Sequence, residues 1–193
     1  MTSGALVIAA GFSRRFGSDK RVFQLRHEPL LIATLRPYRA AFANVAVVVR
    51  SSDSTLTQVI AEGFGRQLPI IVPTPHAHLG MAASIADGIR AVVDWDYVFL
   101  GLGDMPYIRP DTLRALKAAM DTARIDRAPC IVQPMHADAP GHPVGFSGEF
   151  FAELIALTGD RGARSVIDAH PGAVRKVSVD DPGVVTDIDH PPM

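Results

Sequence analysis

The sequence predicts an α/β fold, with a single doubly wound, mostly parallel sheet and helices on both faces. Short runs rich in valine and isoleucine are typical of strands, and segments with apolar residues at helical spacing lie between them. Strands that alternate with helices form right-handed βαβ units, which cover a parallel sheet on both faces. A chain of 193 residues, 48% of them hydrophobic, can bury one sizeable core. We therefore expect one domain that spans residues 1–193.

The predicted strands are short and apolar, which favours strand over helix. They cover residues 5–10, 45–49, 69–72, 97–102 and 129–133. Helical patterns begin at Leu30 and at Pro110, and others extend over residues 54–62, 82–93, 149–157 and 160–168. Pro29 suits a first helical turn, and Ser147 is a suitable N-cap for the helix at 149–157. Residues 135–145 are predicted to be an irregular insertion.

The first strand runs into a basic loop bounded by Gly11 and Gly17. Glycines let backbone N–H groups approach an anion closely, and the nearby cations neutralise it. Those cations are Arg14, Arg15, Lys20 and Arg21. The spacing does not match a P-loop, and Ser13 stands where the dinucleotide fingerprint needs glycine. By analogy with such loops we predict a phosphate-binding turn; the alternative is a solvated surface loop.

Asp104 comes just after the predicted strand at residues 97–102. The carboxyl ends of parallel strands form the ligand-binding edge of an open sheet, so Asp104 would face the basic loop if the two strands are neighbours. Mg²⁺ needs only one or two carboxylates in addition to water and phosphate oxygens. The alternative is that Asp104 caps the turn before Pro106.

Two further carboxylates lie close to the end of the sequence. In an extended chain Asp187 and Asp189 point to the same side, with Ile188 opposite. Like charges placed so closely repel each other unless a cation lies near them. A cation held between or near the two carboxylates is one interpretation; a solvated segment is the other.

Composition excludes several classes of protein. The formal net charge of −1 argues against a broad electrostatic grip on nucleic acid. The longest apolar stretches are shorter than the roughly 18 residues of a membrane span, and the first residues lack the pattern of a secretory signal. Cys130, the single cysteine, allows no internal disulfide and no cysteine-based metal cluster. We expect a cytoplasmic protein with no nucleic-acid or membrane partner.

Several short motifs recur in a fixed order along the chain. The first is Ala-Ala-Gly-x-Ser-x-Arg-x-Gly-x-x-Lys at residues 9–20. It is followed by Gly-Met-Ala-Ala-Ser-Ile at 80–85, Gly-Asp-Met-Pro at 103–106, Gly-His-Pro-Val at 141–144, Gly-Asp-Arg-Gly-Ala-Arg at 159–164 and Thr-Asp-Ile-Asp at 186–189. This ordered set resembles the MobA-like nucleotidyltransferases, particularly the molybdenum cofactor cytidylyltransferases, over essentially the whole chain.

The resemblance implies a Rossmann-like, Mg²⁺-dependent nucleotidyltransferase. It would move CMP from CTP to the terminal phosphate of molybdenum-molybdopterin, releasing pyrophosphate and forming molybdopterin cytosine dinucleotide. A molybdenum hydroxylase would be a possible recipient of the product. Physical reasoning adds that a phosphate monoester is already largely dianionic at neutral pH, so the acceptor needs no general base.

The resemblance also implies roles for particular residues. The nucleotide would be bound by Ala9, Ala10, Gly11, Ser13, Arg14, Arg15, Lys20, Gly80, Ser84 and Asp104. The catalytic residues would be Arg15, Lys20 and Asp104, and the metal ligands Asp104 and Asp187; the family pattern implies a metal role for Asp189 more weakly. The acceptor would be bound by Gly141, His142, Pro143, Arg161 and Arg164. The simpler alternatives are that Ser84 caps its helix, His142 is structural, and Arg161 and Arg164 are solvated.

The choice of base rests on Ala10. In the resembled family, Ala-Ala-Gly at this turn accompanies cytidine and Ala-Gly-Gly accompanies guanosine, and a methyl group at position 10 would narrow the space for a purine. Three alternatives remain: a guanylyltransferase for the same pterin, a sugar or polyol phosphate cytidylyltransferase, and a non-catalytic carrier of the finished cofactor. The chain departs from the family pattern at His190 and Pro192, where threonine and glutamate are usual.

Overall fold

The computed structural model describes residues 2–13, 16–126, 128–159 and 162–190. Its strands are β1 (Ser3–Ile8), β2 (Gln24–Leu25), β3 (Glu28–Pro29), β4 (Asn44–Arg50), β5 (Ile70–Thr74), β6 (Tyr97–Leu102), β7 (Ile131–His136), β8 (Ala139–Pro140), β9 (Val144–Ser147) and β10 (Val174–Ser178). Its α-helices are α1 (Leu30–Ala41), α2 (Ser54–Phe64), α3 (Met81–Ala91), α4 (Pro110–Ala123), α5 (Phe151–Ile155) and α6 (Arg164–Ala169).

The main sheet runs in the order β10-β7-β9-β6-β1-β4-β5, and β8 pairs with β7. Strands β6, β1, β4 and β5 are parallel, β9 is antiparallel to both of its neighbours, and β10 is parallel to β7. The chain leaves β1 toward β4 but leaves β6 in the opposite direction, toward β7. An open α/β sheet binds its ligand at such a reversal of strand order.

Each face of the sheet has its own apolar core. Alternate residues of β1 point to opposite faces, so Val7 packs with residues of α1 and α4, whereas Leu6 packs with residues of α3 and α5. Central strands buried on both faces are continuously apolar, as in the Val45–Val49 part of β4. The predicted α/β fold with a doubly wound, mostly parallel sheet is confirmed.

The structure corrects several local predictions. Residues 135–145 are not an irregular insertion, because they contain the β7–β8 hairpin and the first residues of β9. Strands β9 and β10 were not predicted: β9 has four residues, and β10 lies at the sheet edge with mostly exposed side chains, so neither has a long apolar run. The hydroxyl of Ser147 accepts a hydrogen bond from the N–H of Cys130 and does not cap the next helix.

Three helices also differ from the prediction in their boundaries. Pro29 occupies the N-cap of α1, just before the first helical turn. The segment predicted as a helix at 149–157 contains a 3₁₀ turn, Gly148–Phe150, followed by the short α5. The last predicted helix begins at Arg164 instead of Asp160, and residues 160 and 161 lie outside the described residues. Among the described residues, no helix has both the length and the apolar character that a membrane crossing requires.

Candidate functional site

The tips of β1 and β6 bring the first loop and Asp104 together. The two strands pair in register, with Ile8 beside Leu102, and the N–H of Gly103 donates to the carbonyl of Ile8 at 3.0 Å. The next residues are in close contact, because a Cβ atom on Gly103 would lie 2.9 Å from the Cβ of Ala9. Since the two strands are neighbours, Asp104 faces the loop as the sequence analysis expected.

A cavity of about 360 Å³ opens at these strand tips. Residues 8–13 line it on the side of β1, and Ala77, Gly80, Met81 and Ser84 line it beside the start of α3. The charged residues of the lining are Lys20, Arg21, Asp104 and Asp189. The volume and the largely apolar wall with a few convergent charged groups are typical of a small-molecule site.

The Lys20 ammonium contacts two carboxylates and one carbonyl. Its Nζ donates to Asp104 Oδ2 at 2.7 Å, to Asp189 Oδ1 at 3.1 Å and to the carbonyl of Ile188 at 3.1 Å. Burial alone lowers the pKa of Lys20, but the hydrogen bonds and negative charges of Asp104 and Asp189 outweigh it and raise the pKa above its usual value. Lys20 is therefore charged at neutral pH. It links the first loop to residues 186–189, called the last segment below.

Asp104, Asp187 and Asp189 form an acidic group in which one ligand atom from each residue lies within 4.8 Å of the others. Carboxylate oxygens are the donors that hard divalent cations prefer. Oδ1 of Asp104 is buried and has no hydrogen-bond partner among the described residues, so a cation would satisfy it. The group is suited to a divalent metal ion, and Asp187 and Asp189 both contribute to it.

The last segment is held against Asp104 by its backbone and by a buried side chain. The N–H of Ile188 donates to the carbonyl of Asp104 at 2.9 Å, and the Ile188 side chain is buried beside Leu25 and Leu30. Because Ile188 points into the core, Asp187 and Asp189 on either side of it point the other way, toward Asp104. This alternation agrees with the extended conformation predicted from the sequence.

The start of α3 forms the other wall of the cavity. Gly80 occupies the N-cap with φ of +102°, a backbone conformation that favours glycine. The hydroxyl of Ser84 lies 3.4 Å from the carbonyl of Gly80 and donates to it, so Ser84 does not act as a helix cap. Ser84 and Gly80 line the cavity, and Met81, which follows Gly80, adds an exposed apolar surface; their binding of a nucleotide stays a prediction.

Of the predicted acceptor residues that the structure describes, Gly141, His142, Pro143 and Arg164 are not part of the cavity lining. Gly141 packs against Val184, and the N–H of His142 donates to the Val184 carbonyl at 2.8 Å. Burial lowers the pKa of His142, against the opposing effects of the Leu100 carbonyl and the Asp104 charge, so the imidazole is neutral at pH 7. Nδ1 of His142 is buried without a hydrogen-bond partner in the described part of the chain.

Arg164, the other predicted acceptor residue that the structure describes, lies in a different part of the fold. Arg164 begins α6 with its side chain 80% exposed, 3.9 Å from the Asp168 carboxylate. Gly162 is close to the cavity, because a Cβ atom there would lie 3.4 Å from the sulfur of Met81. The structure therefore places the His142 loop against Val184 and the Gly162 turn beside Met81. Pro143 follows His142 in the first of these, and Arg161 falls outside the described residues.

Most of the predicted nucleotide-binding residues share the cavity. They are Ala9, Ala10, Gly11, Ser13, Lys20, Gly80, Ser84 and Asp104. Arg14 and Arg15 lie outside the described residues, so their roles stay predictions. Sequence reasoning missed Phe12, Phe16 and Ala77, which line the same cavity. The position of Phe12 and Phe16 inside the glycine-bounded loop was the available signal, whereas nothing local distinguished Ala77.

Fold and site together define a class of protein, the nucleotidyltransferases, in which a cavity at the strand tips holds a nucleotide beside acidic and basic groups. The family model described as MobA-like NTP transferase domain matches residues 5–174. The chain belongs to the MobA-like NTP transferase family and is a nucleotidyltransferase.

The chain is similar to named relatives and to solved structures. A protein of Synechococcus elongatus named probable molybdenum cofactor guanylyltransferase is 28% identical over 167 residues, which cover 85% of this chain and 81% of the relative. The crystal structure of Rv0371c from Mycobacterium tuberculosis has a TM-score of 0.81 at 28% identity, covering 98% of this chain and 93% of that one. The manganese complex of Rv0371c has a TM-score of 0.73 at 27% identity, covering 93% and 89%.

Proposed function

We propose that this enzyme transfers a nucleoside monophosphate from a nucleoside triphosphate to the phosphate of a molybdopterin-type acceptor. The observation that carries the proposal is the meeting of Lys20 with Asp104 and Asp189 at the lining of a largely apolar cavity. An apolar wall suits a base and ribose, whereas the charged groups suit a triphosphate with its cation. The name of the Synechococcus elongatus relative supports the acceptor.

The reaction requires two anions to approach each other. An oxygen of the acceptor phosphate attacks the α-phosphorus in line; the bond from that phosphorus to the bridging oxygen breaks, and pyrophosphate leaves with the electron pair. Because the phosphate monoester is already largely dianionic at neutral pH, no side chain must remove a proton. Lys20 would offset charge on the leaving group, and the N–H groups of residues 11–13 would hold phosphate oxygens.

The acidic group would hold the divalent cation, for which we propose Mg²⁺. Asp104, Asp187 and Asp189 supply carboxylate oxygens, and the unpartnered Asp104 Oδ1 fits a role as a ligand. A bound divalent ion supplies charge neutralisation at the triphosphate oxygens. The manganese complex of the Mycobacterium tuberculosis protein supports divalent metal binding in this fold.

For the transferred base there are two candidates. Guanylyl transfer comes first, because the curated relative is named a guanylyltransferase. Cytidylyl transfer is the second candidate and depends on Ala10, which is 3% exposed, lines the cavity and packs in the core beside Ile85. The methyl group of Ala10 is held between the sheet and α3, so it would occupy a fixed volume at the base site. That volume would leave less room for a purine than for a pyrimidine.

Pyrophosphate release with each of the four ribonucleoside triphosphates, Mg²⁺ and molybdopterin tests the proposal. We expect release only when both triphosphate and acceptor are present, with GTP or CTP as the preferred substrate. The Ala10→Gly variant decides the steric argument: a wild-type enzyme that prefers CTP should accept GTP better once the methyl group is removed. Tight binding of the finished dinucleotide without any pyrophosphate release would favour the carrier alternative.

A further inference from the structure

We propose that Arg21 is a positioning residue, held by Asp53, that sets the place of the Lys20 ammonium in the site; its effect on catalysis rests on the proposed function. Arg21 lines the cavity beside Lys20, and its side chain is 4% exposed. A cation in this place would ordinarily be assigned to substrate phosphate. Its hydrogen bonds point to a different role.

All five N–H donors of the Arg21 guanidinium are already used by the protein. Nε and Nη2 donate to the two oxygens of Asp19 at 2.7 and 2.5 Å, and Nη1 and Nη2 donate to the two oxygens of Asp53 at 2.5 and 3.1 Å. Nη1 also donates to the carbonyl of Ala9 at 2.8 Å. A guanidinium has five N–H groups, so none remains for a phosphate oxygen.

The charges around Arg21 balance within the network. Arg50 donates to both oxygens of Asp53 and lies 3.1 Å from Asp19, so two arginines face two carboxylates. The Asp53 side chain is 8% exposed, and its oxygens accept from both arginines. The two positive and two negative charges cancel, so the network has no net positive charge that would attract a triphosphate. Its bidentate contacts therefore stabilise the structure and do not serve to bind substrate.

The network fixes the backbone on both sides of Lys20. Asp19 and Arg21 are its immediate neighbours, and the N–H of Arg21 also donates to Asp19 Oδ1 at 3.1 Å. Through Ala9 the network is attached to the tip of β1, and through Asp53 to the start of α2. The Lys20 N–H donates to Ser13 Oγ at 3.2 Å, which ties the same turn to the first loop. The backbone that carries Lys20 toward Asp104 is therefore held at three places: Ala9, Ser13 and Asp53.

The first test follows the Lys20 ammonium in nucleotide-free protein, so it does not depend on the reaction. The lysines of the chain are Lys20, Lys117 and Lys176, which makes ¹⁵N NMR of their ammonium groups simple to assign with a Lys20→Arg variant. We expect the Lys20 signal to be visible in the wild type, because acceptors surround the group, and to be lost or displaced in Asp53→Asn. Asp94→Asn, at an exposed aspartate, is the matched control and should leave the signal in place.

The second test separates positioning from a general structural effect. Arg21→Lys keeps the charge but loses the planar fork, so the KM for nucleoside triphosphate should rise about 10- to 100-fold. Arg36→Lys, at an exposed arginine paired with Glu28, is the control. In a Lys20→Ala background the same Arg21→Lys change should alter the KM by less than about twofold, because the ammonium group that Arg21 positions is absent.

Three results would overturn the inference. They are an unchanged Lys20 signal in Asp53→Asn, an unchanged KM in Arg21→Lys, and an equal loss from Arg21→Lys with and without Lys20. If Arg21→Lys does not fold, Asp53→Asn, which keeps the Arg21 contacts to Asp19 and Ala9, decides by the same two measurements. If the wild type transfers no nucleotide, the proposed function fails while the NMR measurement still decides the placement of Lys20.

Discussion

Asp104 contacts Lys20 and belongs to the acidic group that would hold the metal ion. One of its oxygens accepts from Lys20, and the other is buried without a partner among the described residues. Asp104→Asn keeps the shape but removes the charge, so we expect turnover to fall at least about 100-fold. Pyrophosphate release measures the loss, and an unchanged melting temperature shows that the fold is intact. Asp94→Asn serves as the exposed control; substantial activity in Asp104→Asn would remove this carboxylate from the metal role.

Lys20 competes with a divalent cation for the same carboxylates. Its ammonium lies 2.7 Å from Asp104 and 3.1 Å from Asp189, both members of the acidic group. Removing a positive charge at this distance strengthens cation binding, so Lys20→Met should raise the Mn²⁺ affinity of nucleotide-free protein about 10-fold. Electron paramagnetic resonance of free Mn²⁺ measures it. Lys176→Met, at an exposed lysine of β10, should change nothing, and equal affinities in all three proteins would contradict the competition.

At the scale of elements, the site depends on how the last segment is attached. Asp181 is buried and accepts from the N–H of Arg109 at 2.9 Å, the hydroxyl of Thr112 at 2.6 Å and the N–H of Gly183 at 3.0 Å. One carboxylate thus caps the start of α4 and fixes the turn at Pro182–Val185 that leads to Asp187 and Asp189.

Asp181→Ala should therefore weaken both stability and metal binding. Losing buried hydrogen bonds to a charged group costs about 2–4 kcal/mol in the free energy of unfolding. We also expect Mn²⁺ affinity to fall several-fold, because two of the three acidic residues lose their anchor. Chemical denaturation and Mn²⁺ titration measure the two effects, with the exposed neighbour variant Asp180→Ala as control. Unchanged metal affinity in folded Asp181→Ala would show that the segment is held by its other contacts.

For the whole molecule, Asp87 of α3 links stability to pH through its contacts with Thr74 and His76. Burial tends to raise the pKa of Asp87, but hydrogen bonds from Thr74 and His76 and the charges of His76 and Arg90 lower it below its ordinary value of 3.8. A carboxylate with a lowered pKa contributes stability above its ordinary pKa, and that contribution is lost as pH falls through the folded-state pKa.

We expect the wild type to exceed Asp87→Asn in unfolding free energy by about 1–2 kcal/mol near neutral pH. The difference should shrink as the pH falls below 3.8. Urea denaturation at a series of pH values measures it, and Asp94→Asn should show no such trend. A difference that is constant with pH would mean that the ionised carboxylate contributes nothing specific. Coincident transitions by fluorescence and circular dichroism would also support the proposal that residues 1–193 fold as one domain.

The sequence by itself determined the alternation of strands and helices, because continuous apolar runs and helical periodicity are local patterns. It also indicated the first loop, Asp104 and the extended Asp187–Asp189 segment, because each adjoins such a pattern. Only the tertiary structure decided that β1 and β6 are neighbours, that β9 and β10 complete the sheet, and that Asp189 shares Lys20 with Asp104. It also distinguished Lys20 from Arg21, two adjacent cations of one turn. Lys20 contacts the distant Asp104 and Asp189, whereas Arg21 contacts the nearby Asp19 and the distant Asp53, and local sequence does not show which carboxylates the fold brings to each.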